Sequence, residues 1–226
     1  FTHWQWIIGG SAGLAFVGWG LVLWVVPESP HRFQSPPFHW GSVGAVFRDR
    51  PVMLANLGYW GHMWELYAMW TWLPSFLFAS WRGVNNLPDL GQWVGIASFV
   101  AIGVTGMLGA LVGGRIADRF GRTATTIAAL TISGAMSLLI GLTYRQNMWF
   151  TIVVILLWGF SVIADSAQFS VAVTELSPLE RIGSALTVQM ALGFLLTIGS
   201  INLIGSIVRV VGFAHVFSFL AIGPIV

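Results

Sequence analysis

The 226-residue chain is 56% hydrophobic and only 8% charged, with ten arginines, no lysine, eight acidic residues and no cysteine. Soluble domains carry roughly a quarter charged residues, so composition argues against a water-soluble fold. The missing lysine and cysteine exclude a retinal Schiff base, a phosphate-binding loop ending in Gly-Lys-Ser/Thr, thiol catalysis and disulfides.

The apolar residues fall in continuous runs long enough to cross a bilayer, and no alternating barrel pattern interrupts them, so every span is expected to be a helix. The first run, residues 4–26, lacks a basic leader and a cleavage site and reads as a span rather than a secretory signal. Gly9 and Gly13 lie on one of its faces and are candidates for a close helix approach. Residues 27–51 hold Pro27, Pro30, Pro36, Pro37 and Pro51 and read as a linker. Within it, Val43, Val46 and Phe47 are mixed with Arg48 and Arg50, predicting a short surface helix over 41–50.

Further spans are predicted over 52–79, 93–114, 123–143, 148–175 and 184–209, with an incomplete one from 213, so the chain reads as truncated at both ends. In the third, Gly106, Gly109, Ala110, Gly113 and Gly114 recur at spacings of three or four, predicting a tight helix contact. Arg32, Arg48, Arg50, Arg115, Arg119, Arg122 and Arg181 follow spans one, three and five, whereas only Arg82, Arg145 and Arg209 follow the others. The first set is therefore expected to be cytoplasmic.

Ionisable groups inside the spans are costly and mark candidate functional positions. Glu65 lies near the middle of span two with His62 one turn earlier, among Tyr59, Trp60, Trp64, Tyr67 and Trp70. A carboxylate there is a proton-carrier candidate, and His62 a relay; a purely structural acid, hydrogen-bonded within the bundle, is the competing reading. Asp165, with Ser161, Ser166 and Gln168 nearby, is the second candidate. Trp4, Trp6, Trp81, Trp93 and Trp149 are placed as an interfacial belt, while two or three of Trp60, Trp64, Trp70 and Trp72 are candidates to line a cavity. His62-x-x-Glu65 is not the two-histidine zinc pattern, so neither a metal site nor an enzyme is expected.

The densest motif joins spans three and four, where Gly114, Asp118, Arg119, Gly121 and Arg122 fall within nine residues read as a short turn. The pattern G-x-x-x-D-R-x-G-R resembles the loop signature of the major facilitator superfamily, with Thr123 standing where a further basic residue is usual. Glu175, Pro178, Arg181 and Gly183 resemble the same family's acid, proline, arginine and glycine pattern leaving the fifth helix of a six-helix bundle.

The resemblance implies an all-α membrane protein, a major-facilitator-type bundle with six full transmembrane helices and part of a seventh. Residues 1–26 would be the last helix of the N-terminal bundle, 27–51 the cytoplasmic central linker, and 52–226 a truncated C-terminal six-helix bundle. It implies secondary transport by alternating access, the substrate cavity being shared with the N-terminal half, and a cytoplasmic latch of Asp118, Arg122, Glu175 and Arg181. Tyr59, His62, Glu65, Asp165 and Gln168 are the expected substrate and proton pathway. The expected partners are a small solute, protons, membrane lipids and the N-terminal half of the same protein, with no nucleic acid, cofactor or metal. A monomer in the bacterial inner membrane, working as symporter or antiporter, completes the expectation. A non-transporting multi-pass sensor is the alternative, and the absence of arginine from 93–113 disfavours nitrate as the solute.

Overall fold

The computed structural model describes residues 4–27, 40–84 and 87–225, and the chain divides into two compact units, Phe1–Pro36 and Pro37–Val226. The described part of the first unit is a single helix, α1 (Trp4–Val25), with no charged residue. No helix partner for Gly9 or Gly13 occurs among the described residues of that unit. Pro30, Arg32, Pro36 and Pro37 lie outside the described residues.

The second unit is built of helices, with no strand among its described residues. It runs α2 (Trp40–Arg48), α3 (Arg50–Trp81), α4 (Leu90–Phe99), a π-helical segment (Val100–Val104), α5 (Thr105–Phe120) and α6 (Arg122–Leu139). After a short 3-10 turn follow α7 (Met148–Ala164), α8 (Ser166–Leu176), α9 (Ile182–Val211), α10 (Phe213–Val216) and α11 (Ile222–Ile225). Gln5–Val25, Leu90–Phe120, Arg122–Thr143, Met148–Leu176 and Leu179–Val211 are long and apolar enough to cross a membrane. α3, with 32 residues, is about 48 Å long against a hydrocarbon core of about 30 Å. Its apolar character is diluted by Asn56, His62 and Glu65, all buried in the bundle.

The chemistry at the helix ends explains the boundaries. Asp49 caps α3, its Oδ1 accepting from the Val52 amide at 3.4 Å, with Pro51 in the first turn where a missing N–H costs nothing. Lipid permits no unpaired backbone, so the third span does not stop at residue 114 but continues in helix to Phe120. The motif read as a nine-residue turn is therefore the last two turns of α5, and the reversal is made at Gly121, whose φ of 90° a side chain would oppose. The short helix expected in the linker is α2. Val46 is buried and Val43 half-buried against Val52, Ala185 and Val188, so this face is covered by the bundle.

The core gathers around α3 and α7, where Phe76, Trp81, Trp158 and Phe217 are buried and Trp158 meets Phe217 edge-on at 5.4 Å. Trp81 corrects the interfacial belt: it is 2% exposed, because the end of α3 is tucked into this core, whereas Trp6, Trp93 and Trp149 are exposed. The tight contact of span three is real but narrower than its spacing implied. Gly106, Gly109 and Gly113 press on Ile163, the Phe160 carbonyl and the Ala164 carbonyl of α7, while Gly114 faces open space and Ala110 is exposed.

Candidate functional site

Glu65 is fully buried, and both of its carboxylate oxygens are engaged by other helices. Oε1 accepts from the Trp158 indole of α7 at 2.7 Å, and Oε2 accepts from the Ser133 hydroxyl of α6 at 2.8 Å. A buried carboxyl group is tolerated only with such partners, and these two donors join three helices at one acid. Neither partner was identified from sequence. Trp158 did carry a signal, since it lies in the interior of span five, away from the interfacial positions that tryptophan favours.

One turn earlier on α3, His62 Nδ1 lies 2.9 Å from Asp165 Oδ1, with both side chains 1% exposed. The approach is off the direction of a good hydrogen bond, and His62 Nε2 has no partner among the described residues. Tyr59 stacks on the His62 ring at 6.0 Å between centroids, and Phe169 packs beside both, 6.1 Å from His62 and edge-on to Tyr59 at 6.3 Å. Asp165 sits where α7 gives way to α8, so its carboxylate issues from an interruption in the span. Asn56, also unremarked in the sequence, is fully buried with both amide atoms unpartnered among the described residues.

Gln168 is buried one turn beyond Asp165, and its Oε1 accepts from Arg122 Nη1 at 2.8 Å. The same guanidinium clasps Glu175, with Nε donating at 3.0 Å and Nη2 at 2.8 Å. Of the four latch charges, the structure thus brings together Arg122 and Glu175. Asp118 and Arg181 are exposed and make no ion pair among the described residues. Asp118 acts on Arg122 only through its longer-range field. Arg181 and Pro178 line a small crevice beside Asp49. Arg119 lies over the Phe120 ring at 5.2 Å, and Gly114 contributes no contact.

The indoles of Trp60 and Trp72 donate to the Gln189 and Ile201 carbonyls of α9 at 3.0 Å each, and that of Trp64 to the Phe219 carbonyl at 3.3 Å. They pin α3 to its neighbours, a packing role the cavity-lining expectation did not include.

Comparison with protein families matches residues 1–223 to the Major Facilitator Superfamily. The chain belongs to this family. Its members are membrane transporters of small molecules, so the five apolar spans and the helical bundle are those of a multi-pass membrane transport protein. A search of curated proteins found no match.

Proposed function

We propose that the chain is the C-terminal half of a secondary active transporter that moves a small solute by alternating access, coupled to protons. In this reading residues 1–26 are the last helix of the N-terminal bundle, 27–51 the central linker and 52–226 the C-terminal bundle. The N-terminal half supplies the other wall of the cavity, and the end of α5, with Arg115 and Arg119, and the turn after α8, with Arg181, face the cytoplasm of a bacterial inner membrane.

The observation that carries the reading is a run of polar groups through the apolar bundle. Glu65 and His62 lie one turn apart on α3, His62 meets Asp165, Gln168 lies one turn beyond Asp165, and Gln168 meets Arg122, which holds Glu175. Each one-turn gap is about 5 Å. Intramembrane acids are expensive and mark ion pathways, and this run ends on an ion pair that ties α6 to α8 within the bundle, so its loss would alter the face that the bundle turns to its partner. A protonation change at Glu65 or Asp165 therefore has a physical route to the latch.

The latch itself is a modest lock. Glu175 is 56% exposed, and exposed ion pairs are weak, although the forked geometry and the buried Gln168 strengthen this one. Arg122→Gln in the complete parent protein is expected to shift the inward-open to outward-open ratio modestly, by less than about tenfold, as for exposed pairs. The shift is read from distances between spin labels on the two bundles, and an unchanged ratio contradicts the latch. Transport is tested by flux of radiolabelled solutes into vesicles carrying the parent protein. Solute binding with neither flux nor counterflow would assign it to the sensor class instead.

A further inference from the structure

Away from the polar run, the outer face of the bundle carries a groove of about 340 Å³ between α5, α6 and α7. We propose that it holds one acyl chain of an anionic phospholipid whose phosphate rests on Arg119.

Gly113, Phe120, Ala124, Ala128 and Phe160 form the groove, small residues leaving the space and aromatic rings closing it. The hydroxyls in its wall are already spent. Thr125 donates to the Gly121 carbonyl at 2.9 Å and Ser161 to the Leu157 carbonyl at 2.9 Å, so neither hydroxyl proton is left for a solute and the remaining wall is apolar. Hydrocarbon is the chemistry that such a surface accepts.

The direction of the groove matches a lipid. Ala124, Ala128 and Ile132 recur every four residues along α6, so the trough runs about 12 Å parallel to the helix axis, close to the ~15 Å depth of one leaflet. Charge selects the headgroup. Arg122 is committed to Glu175 and Gln168, but Arg119 has no carboxylate partner among the described residues. Its guanidinium lies over Phe120, at the arginine-rich end of the trough. A cation at headgroup level above an apolar slot is complementary to a phosphate with its chain below.

The test is native mass spectrometry of the complete parent protein in detergent, with dioleoyl phosphatidylglycerol or dioleoyl phosphatidylcholine added. Wild type is expected to retain one phosphatidylglycerol with at least about fivefold preference over phosphatidylcholine, the worth of one arginine near the surface. Arg119→Gln should bring the ratio to about one while a chain still binds. Ala128→Phe, which fills the slot, should lose the retained lipid of either kind while unfolding at an unchanged temperature, and Ala124→Leu should do the same. Equal retention of both lipids by wild type, or a lipid still held in the filled variants, overturns the proposal. A dimer that Ala128→Phe dissolves would also overturn it, giving the groove to a second copy of the chain. None of these readouts depends on transport, so the proton-coupling reading stands or falls separately.

Discussion

Gly159→Leu is expected to abolish the folded bundle. A side chain at this position of α7 would enter the Ala101 carbonyl of the π-helical segment and stand 2.8 Å from the Thr105 hydroxyl, which itself donates to that carbonyl at 2.6 Å. The clash is with backbone, so no rotamer change relieves it, and α5 would have to leave α7 along a seam also formed by Gly109 and Gly113. Close backbone approach through small residues is a main source of helix association in lipid, where no hydrophobic force between helices compensates for its loss. Size-exclusion profiles of the detergent-solubilised parent protein should show aggregate in place of a monodisperse peak. Gly114→Ala serves as the control, because nothing lies within 4 Å of its Cβ position. A monodisperse Gly159→Leu protein with wild-type thermal stability would refute the packing argument.

Trp158→Phe has the second large effect. The phenyl ring keeps most of the packing against Phe217 but removes the N–H that satisfies Glu65 Oε1. A buried acceptor left without its donor costs about 1–3 kcal/mol. The loss should be specific to the acid. In a Glu65→Leu background, where nothing needs the indole proton, Trp158→Phe should cost much less, and denaturant unfolding of the four proteins measures the difference as a coupling energy. Additive costs would mean that the 2.7 Å contact contributes nothing beyond ring packing.

The spans were legible to within a few residues, apart from the third, because their cause is local: each is a run of apolar residues bounded by proline, arginine or glycine. The third span was cut short because Arg115 and Asp118 look like loop residues, although an α-helix at headgroup level accommodates both while keeping its backbone paired. Trp81 was misplaced for a related reason. Its position at a span end is that of a belt residue, and only the tertiary fold reveals that the end of α3 is enclosed.

The candidate site was half legible. A Glu and a His inside a span announce themselves by their cost, and so does an Asp beside a Gln. What they touch does not, because the partners of Glu65 lie 68 and 93 residues along the chain. Gln168 shows the limit most clearly. Expected in the substrate pathway, it is joined through Arg122 to Glu175, and that link turns separate interior and helix-end groups into one run.

The measurement that tests proton coupling through this run most directly is solute flux in vesicles of the complete parent protein, wild type against Glu65→Gln. Net flux driven by a pH gradient and solute counterflow without one are to be measured side by side. If Glu65 carries the proton, the variant loses pH-driven flux while keeping counterflow, since the amide preserves shape but cannot release a proton. Unaltered pH-driven flux in Glu65→Gln would contradict the account and leave Glu65 as a structural acid bound to Trp158 and Ser133.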